Sequence, residues 1–205
     1  MKKTVIICSC LLSIAALAAC SSFKRDYEVI DASVKKRPEW VADAAKINTY
    51  GDAFKYRYFS GENENASKRL CETGARADAD KKLAAEIVQM IKNTYAESLQ
   101  NEEDAISSYT EEALGKSVKV TVSGSQLVGM YWEKRAYTVD LGAEKDRKTY
   151  FCHAVSQIEK TKLERVVDAS INNFVKGITG SRAKDKALEA LKAAEKEFIG
   201  YPENN

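Results

Sequence analysis

Hydrophobic and polar positions along the chain fall into blocks of different period. Over 53–59, Phe54, Tyr56 and Tyr58 alternate with Lys55 and Arg57, the period-two signature of a half-buried strand. The polar run Gly61-Glu62-Asn63-Glu64-Asn65 interrupts that alternation and offers Asn side chains as helix caps. From Ser67 to Leu99 the period changes. Leu83, Ile87, Met90, Ile91, Tyr95 and Leu99 recur at three- and four-residue steps, and Ala75, Ala77, Ala79, Ala84 and Ala85 favour a closely packed helix. An acidic link, Asn101 to Asp104, leads into a short helical pattern ending at Leu114. Alternation returns at Val118, Val120 and Val122, bends past Gly124 toward Trp132, and reappears at Tyr137, Val139 and Leu141. Another strand is predicted over Thr149–Ile158. Short links between these last strands predict an antiparallel meander.

Two amphipathic helices are predicted to close the chain. Leu163, Val166, Val167, Ser170, Ile171, Phe174 and Ile178 form one stripe, ended by Gly177 and Gly180. Ser181 can cap the next, whose stripe is Ala187, Leu188, Leu191, Ala194 and Phe198 before Gly200 and Pro202 stop it. The predicted fold is therefore α+β: an antiparallel sheet of about four strands, a long helix after the first strand, and two C-terminal helices.

The extreme N-terminus shows a different pattern. Met1-Lys2-Lys3 precedes an uncharged run, Val5 to Ala19, too short to span a bilayer but built like an export signal. It ends in Leu17-Ala18-Ala19-Cys20, which resembles the lipobox of bacterial lipoproteins. That resemblance implies cleavage before Cys20, a diacylglyceryl thioether on its sulfur, and a further acyl chain such as palmitate on the new amino group. Together these chains would give stable anchoring, at about 0.8 kcal/mol per buried methylene. Ser21 in place of Asp at the second mature position resembles an outer-membrane destination, on the periplasmic face. The boundaries expected are 1–19 signal peptide, 20–36 lipidated Cys and flexible tether, 37–180 α+β domain, and 181–205 C-terminal helix and tail. A tether of that length reaches at most about 50 Å.

Charge and cysteine content narrow the function classes. Lys2 and Lys3 leave with the signal, so the 32 Lys and Arg of the precursor fall level with its 30 Asp and Glu. A neutral, mixed surface gives no reason to expect nucleic acid. Of five Cys, Cys8 and Cys10 are lost and Cys20 is lipidated, leaving Cys71 and Cys152 in an oxidising compartment. They can form a disulfide, or stand apart as two small buried residues.

The chain also resembles the LPP-twenty family of small bacterial lipoproteins, which includes an outer-membrane lipoprotein needed by some sheathed or disk-bearing flagella. The resemblance rests on the lipobox, Arg37-Pro38-Glu39-Trp40-Val41, the helix Ala75-Arg76-Ala77-Asp78-Ala79-Asp80-Lys81-Lys82-Leu83-Ala84-Ala85-Glu86-Ile87, and Tyr150-Phe151-Cys152-His153-Ala154-Val155. It spans roughly Arg37 to Glu159, and the two C-terminal helices lie beyond it.

Catalytic chemistry has little support in the sequence. His153, the single His, sits inside a predicted strand with no set of accompanying ligands, as a structural His would. No Gly-x-Ser-x-Gly elbow or phosphate-cradling loop accompanies it. Glu102-Glu103-Asp104 and Glu111-Glu112 read as solvated stretches. Tyr56, Tyr58, Tyr131, Trp132 and Tyr137 either line a binding surface or pack across strands. No catalytic residue, metal or cofactor is expected. The expectation is a non-enzymatic structural or assembly component of the cell envelope, in contact with envelope proteins or its own copies. The alternative is a periplasmic ligand- or peptidoglycan-binding or sensing module.

Overall fold

The structure, a computed structural model, describes residues 25–43, 46–47, 51–98, 125–178 and 181–200. Its elements in chain order are β1 (Tyr27–Ala32), α1 (Glu39–Ala42), β2 (Tyr56–Asn65), α2 (Lys68–Ser98), β3 (Gln126–Tyr137), β4 (Arg147–Glu159), α3 (Lys160–Lys176) and α4 (Ser181–Ile199). The four strands form one antiparallel sheet in the order β1-β3-β4-β2. The fold is α+β, with the long helix and the two C-terminal helices where the periodicity predicts them.

Strand membership differs from the sequence reading in three places. The expected tether over 20–36 is, over Tyr27–Ala32, an edge strand paired to β3. Tyr27 holds it there by packing its ring 5.3 Å from that of Tyr137. The long helix accordingly follows the second strand of the chain, not the first. β2 also starts later than expected and continues through the polar 61–65 run, leaving Phe54 in the preceding turn and 77% exposed. Finally, Val139 and Leu141 do not extend a strand. Val139–Leu141 is a 3-10 turn, closed by Gly142 at φ +103°, that links β3 to β4. The alternation at Val118–Val122 and the short helix before Leu114 lie outside the described residues; among the described ones, the β3–β4 hairpin is flanked by β1 on one side and β2 on the other.

All three long helices lie on one face of the sheet. Leu83, Ile87, Ile91 and Tyr95 of α2 meet Phe59, Ile158 and the apolar stripes of α3 and α4 in the main core. Tyr95 and Phe174 pack edge to face at 5.1 Å. Where α2 crosses β2, backbone approaches backbone. A Cβ on Gly61 would stand 2.1 Å from the Ala79 nitrogen and 2.3 Å from the Ala75 oxygen, so only Gly admits this packing. Cys71 and Cys152 are joined by a disulfide with Cα atoms 5.7 Å apart, pinning the first turns of α2 to the centre of β4. Ala75, Ala154, Met130 and Trp132 surround it. Among the described residues, β1 and β2 each pair on one side only. At β2, Asp78 of α2 takes up one outward donor by accepting the Glu62 backbone N–H at 3.0 Å.

Candidate functional site

Alternation along β3 sends Tyr131, Glu133, Arg135 and Tyr137 to the sheet face opposite the helices, and all four are buried. A carboxylate out of water must be paired and hydrogen-bonded, and Glu133 is both. It accepts from Tyr131 Oη at 2.9 Å, and from Arg135 Nε at 2.7 Å and Nη2 at 2.5 Å. The Arg135 guanidinium is layered between two rings, 3.6 Å from the Phe151 centroid and 4.3 Å from that of Tyr27. β1 thus supplies one wall of the site. Burial pushes the Glu133 carboxyl up, but the bonds from Arg135 and Tyr131 outweigh it, holding the pKa below its usual value. Burial and the bond to Glu133 drive the Tyr131 hydroxyl up to about 12, so it remains a neutral donor.

A second carboxylate extends the network to β2. Glu64 accepts from Thr149 Oγ1 at 2.7 Å and Tyr137 Oη at 3.1 Å, with Arg147 3.7 Å away. His153 completes the row. Its ring lies 4.7 Å from Phe151 and 6.2 Å from Tyr131. Arg37 Nη2 approaches its Nε2 at 3.4 Å, and Glu62 lies 3.9 Å from Nδ1. Donation from Arg37 requires a neutral imidazole with the proton on Nδ1. Burial, then the Arg37 charge, pulls the His153 pKa down to about 4, in keeping with that state. Chemically, Glu133 is paired with Arg135, the Tyr131 and Tyr137 phenols are held protonated and the imidazole serves as an acceptor, while Arg37 Nε is buried without a hydrogen-bond partner.

A cleft of about 580 Å³ opens at the other end of β2, with Ile47, Tyr56, Tyr58 and Phe198 among its walls. Arg57 donates to the Phe198 carbonyl and Lys160 to the Gly200 carbonyl, so two cations satisfy the C-terminal carbonyls of α4. Arg57 also pairs with Glu86 at 3.0 Å and lies over the Phe198 ring. Burial and the neighbouring Arg57 charge lower the Lys160 pKa.

The sequence-predicted residues distribute over both faces. Tyr131, Tyr137 and His153 belong to the network, Tyr56 and Tyr58 to the cleft, and Trp132 to the disulfide cluster on the helix side, where its ring meets Tyr150 at 5.8 Å. Cys20 and both acidic clusters lie outside the described residues. Sequence reasoning missed Glu133, Arg135 and Arg37. The signal for the first two is there: an acid and a base two residues apart, between tyrosines, share one face of a strand. Among the described residues no group of three His, Cys, Asp or Glu could hold a metal ion, and no helix is long and apolar enough to cross a membrane. Compared with known proteins, the chain matches neither a family model nor a curated sequence.

Proposed function

We infer that this chain is a lipid-anchored outer-membrane lipoprotein that serves as a non-enzymatic structural or assembly component of the cell envelope. The observation that carries the reading is Leu17-Ala18-Ala19-Cys20 at the end of an uncharged run behind two lysines. The Cys71–Cys152 disulfide supports it, because such a bond persists in the oxidising space such a protein occupies. The charge network supports a scaffold role, since its groups hold β1, β3, β4 and β2 to one another. Contacts with envelope proteins or further copies would use the outer surface. A motility-associated role is one version, resting on the resemblance to the LPP-twenty family alone.

Replacing Cys20 with Ser is expected to release a folded domain from the membrane fraction. Continued sedimentation of C20S with membranes would overturn the anchor. Deletion that left envelope integrity and motility unchanged, with purified protein monomeric at high concentration, would overturn the structural role. The cleft of about 580 Å³ beside Tyr56 and Tyr58 favours a second reading, a ligand- or peptidoglycan-binding module, since small-molecule sites are of this size. Retention on isolated sacculi, abolished by Tyr56→Ala, would support that reading, and no retention would remove it.

A further inference from the structure

β1 changes what the anchor can do. Cys20 and Tyr27, the first strand residue, are seven residues apart, and seven residues span at most about 24 Å even when fully extended. The end of the sheet where the chain leaves toward Cys20 therefore stays close to any membrane that holds Cys20. Thr138 N–H donates to the Asp26 carbonyl at 3.4 Å, so the β3–β4 loop sits at this same end. The opposite end, near Phe54 and Glu159, is about 40 Å away along the thirteen residues of β4.

The β3–β4 loop exposes two aliphatic side chains at the end of the sheet nearest Cys20 in sequence. Val139 is 58% and Leu141 38% exposed, two residues apart on one 3-10 turn. Four of its backbone N–H groups are satisfied from within the loop. Leu141 and Ala143 N–H donate to the Thr138 carbonyl, both at 3.1 Å, and Gly142 N–H to that of Val139 at 2.9 Å. Val139 N–H donates to Asp146 Oδ1 at 2.9 Å. A loop entering a lipid interface must not strand backbone donors, and this one strands none of these four. Half-buried Tyr27 stands beside it, an amphipathic ring of the kind that settles at headgroup level.

Charge does not explain attraction to a membrane here. Arg25, Lys145, Arg147 and Lys148 are matched in number by Asp26, Asp140, Glu144 and Asp146 at this end, leaving it balanced. The contact has to be apolar and held by the short tether.

We propose that this end of the sheet rests on the lipid bilayer, with Val139 and Leu141 entering the interface; this rests on the lipidation of Cys20. The domain then stands upright, its cleft and the C-terminus of α4 directed away from the lipid.

The test uses the lipidated mature protein in phosphatidylcholine vesicles whose acyl chains carry bromine, which quenches nearby Trp. Two exposed positions receive a reporter, Val139→Trp at this end and Phe54→Trp at the other, and the signal of the native Trp40 and Trp132 is subtracted. The expected result is quenching and a blue shift for V139W, neither for F54W, and the same outcome when anionic phosphatidylglycerol is included. If the chain floats with the vesicles but V139W is unquenched, or both reporters are quenched alike, the docking geometry is wrong and the anchor stands. Shielding of V139W from aqueous acrylamide without bromine quenching would point to a second copy and equally overturn docking on lipid. If the protein as processed in cells does not float, and C20S behaves like it, the anchor itself fails and the proposal fails with it.

Discussion

Breaking the Cys71–Cys152 bridge perturbs the fold at one defined place. The bond closes a loop of 81 residues, and in the chain-entropy model such a closure removes about 15 cal/mol/K from the unfolded ensemble. At room temperature that is about 4.5 kcal/mol, an upper figure because native packing relaxes around the lost bond and the unfolded chain is never fully random. Both residues are fully buried, so Cys71→Ala with Cys152→Ala also leaves space among Ala75, Ala154, Met130 and Trp132. Urea unfolding of the chain from Ser21 onward, followed by Trp fluorescence, measures the loss directly. With a slope of about 2 kcal/mol per molar urea, the midpoint should fall by about 2 M in the double Ala variant. Thiol titration of the unreduced, unfolded protein should find no free thiol from this pair. Two titratable thiols, or a midpoint that does not move on full reduction, would refute the bridge and its contribution.

Two further perturbations address the buried network. His153 has a folded pKa of about 4 against an ordinary 6.5, so below pH 6.5 the unfolded chain binds the proton first. Stability is therefore full above pH 6.5 and declines by about 3 kcal/mol as pH falls toward 4, and His153→Gln should flatten that slope; an unchanged slope in denaturation midpoints from pH 7 to 4 would exclude His153 as its source. Arg135→Met leaves the Glu133 carboxylate buried without its cation and should cost about 3–5 kcal/mol, whereas adding Glu133→Leu should recover much of that loss. Strictly additive costs in this double-mutant cycle would mean that the two side chains are not coupled.

Burial explains which parts of the fold can be read in the chain. α2, α3 and α4 each keep an apolar stripe for several turns because one face of each meets the core, and periodicity records that. β1 leaves no such record. Its central positions are all exposed, Val29 and Ile30 included, and its register shifts between Val29 and Asp31, which destroys any period. β2 hides its second half in polar letters because Gly61 exists to admit α2, while Glu64 is held by hydroxyls and Arg147 on other strands. The turn at Val139–Leu141 mimics a strand by accident of alternation, and Gly142 at positive φ ends it. At the candidate site, Tyr131 and Tyr137 are conspicuous as aromatics. Glu133 and Arg135 leave a signal in their spacing between the tyrosines, but it reads as a buried pair only once the strand is known to be buried on that face, because charged residues are ordinarily assigned to water.

The strand order also sets an order of assembly. Of the three pairings in the described sheet, only β3–β4 joins neighbours in sequence, with Tyr137 opposite Arg147. β1 must wait for a partner more than a hundred residues downstream, and β2 must wait for β4. Loop-closure entropy disfavours both steps until the hairpin exists. A chain emerging N-terminus first thus releases two strands and Cys71 well before anything can receive them. Sequence separation therefore favours closing the hairpin ahead of both outer pairings, and β1, the most N-terminal strand, can join the sheet only after its C-terminal half has been made.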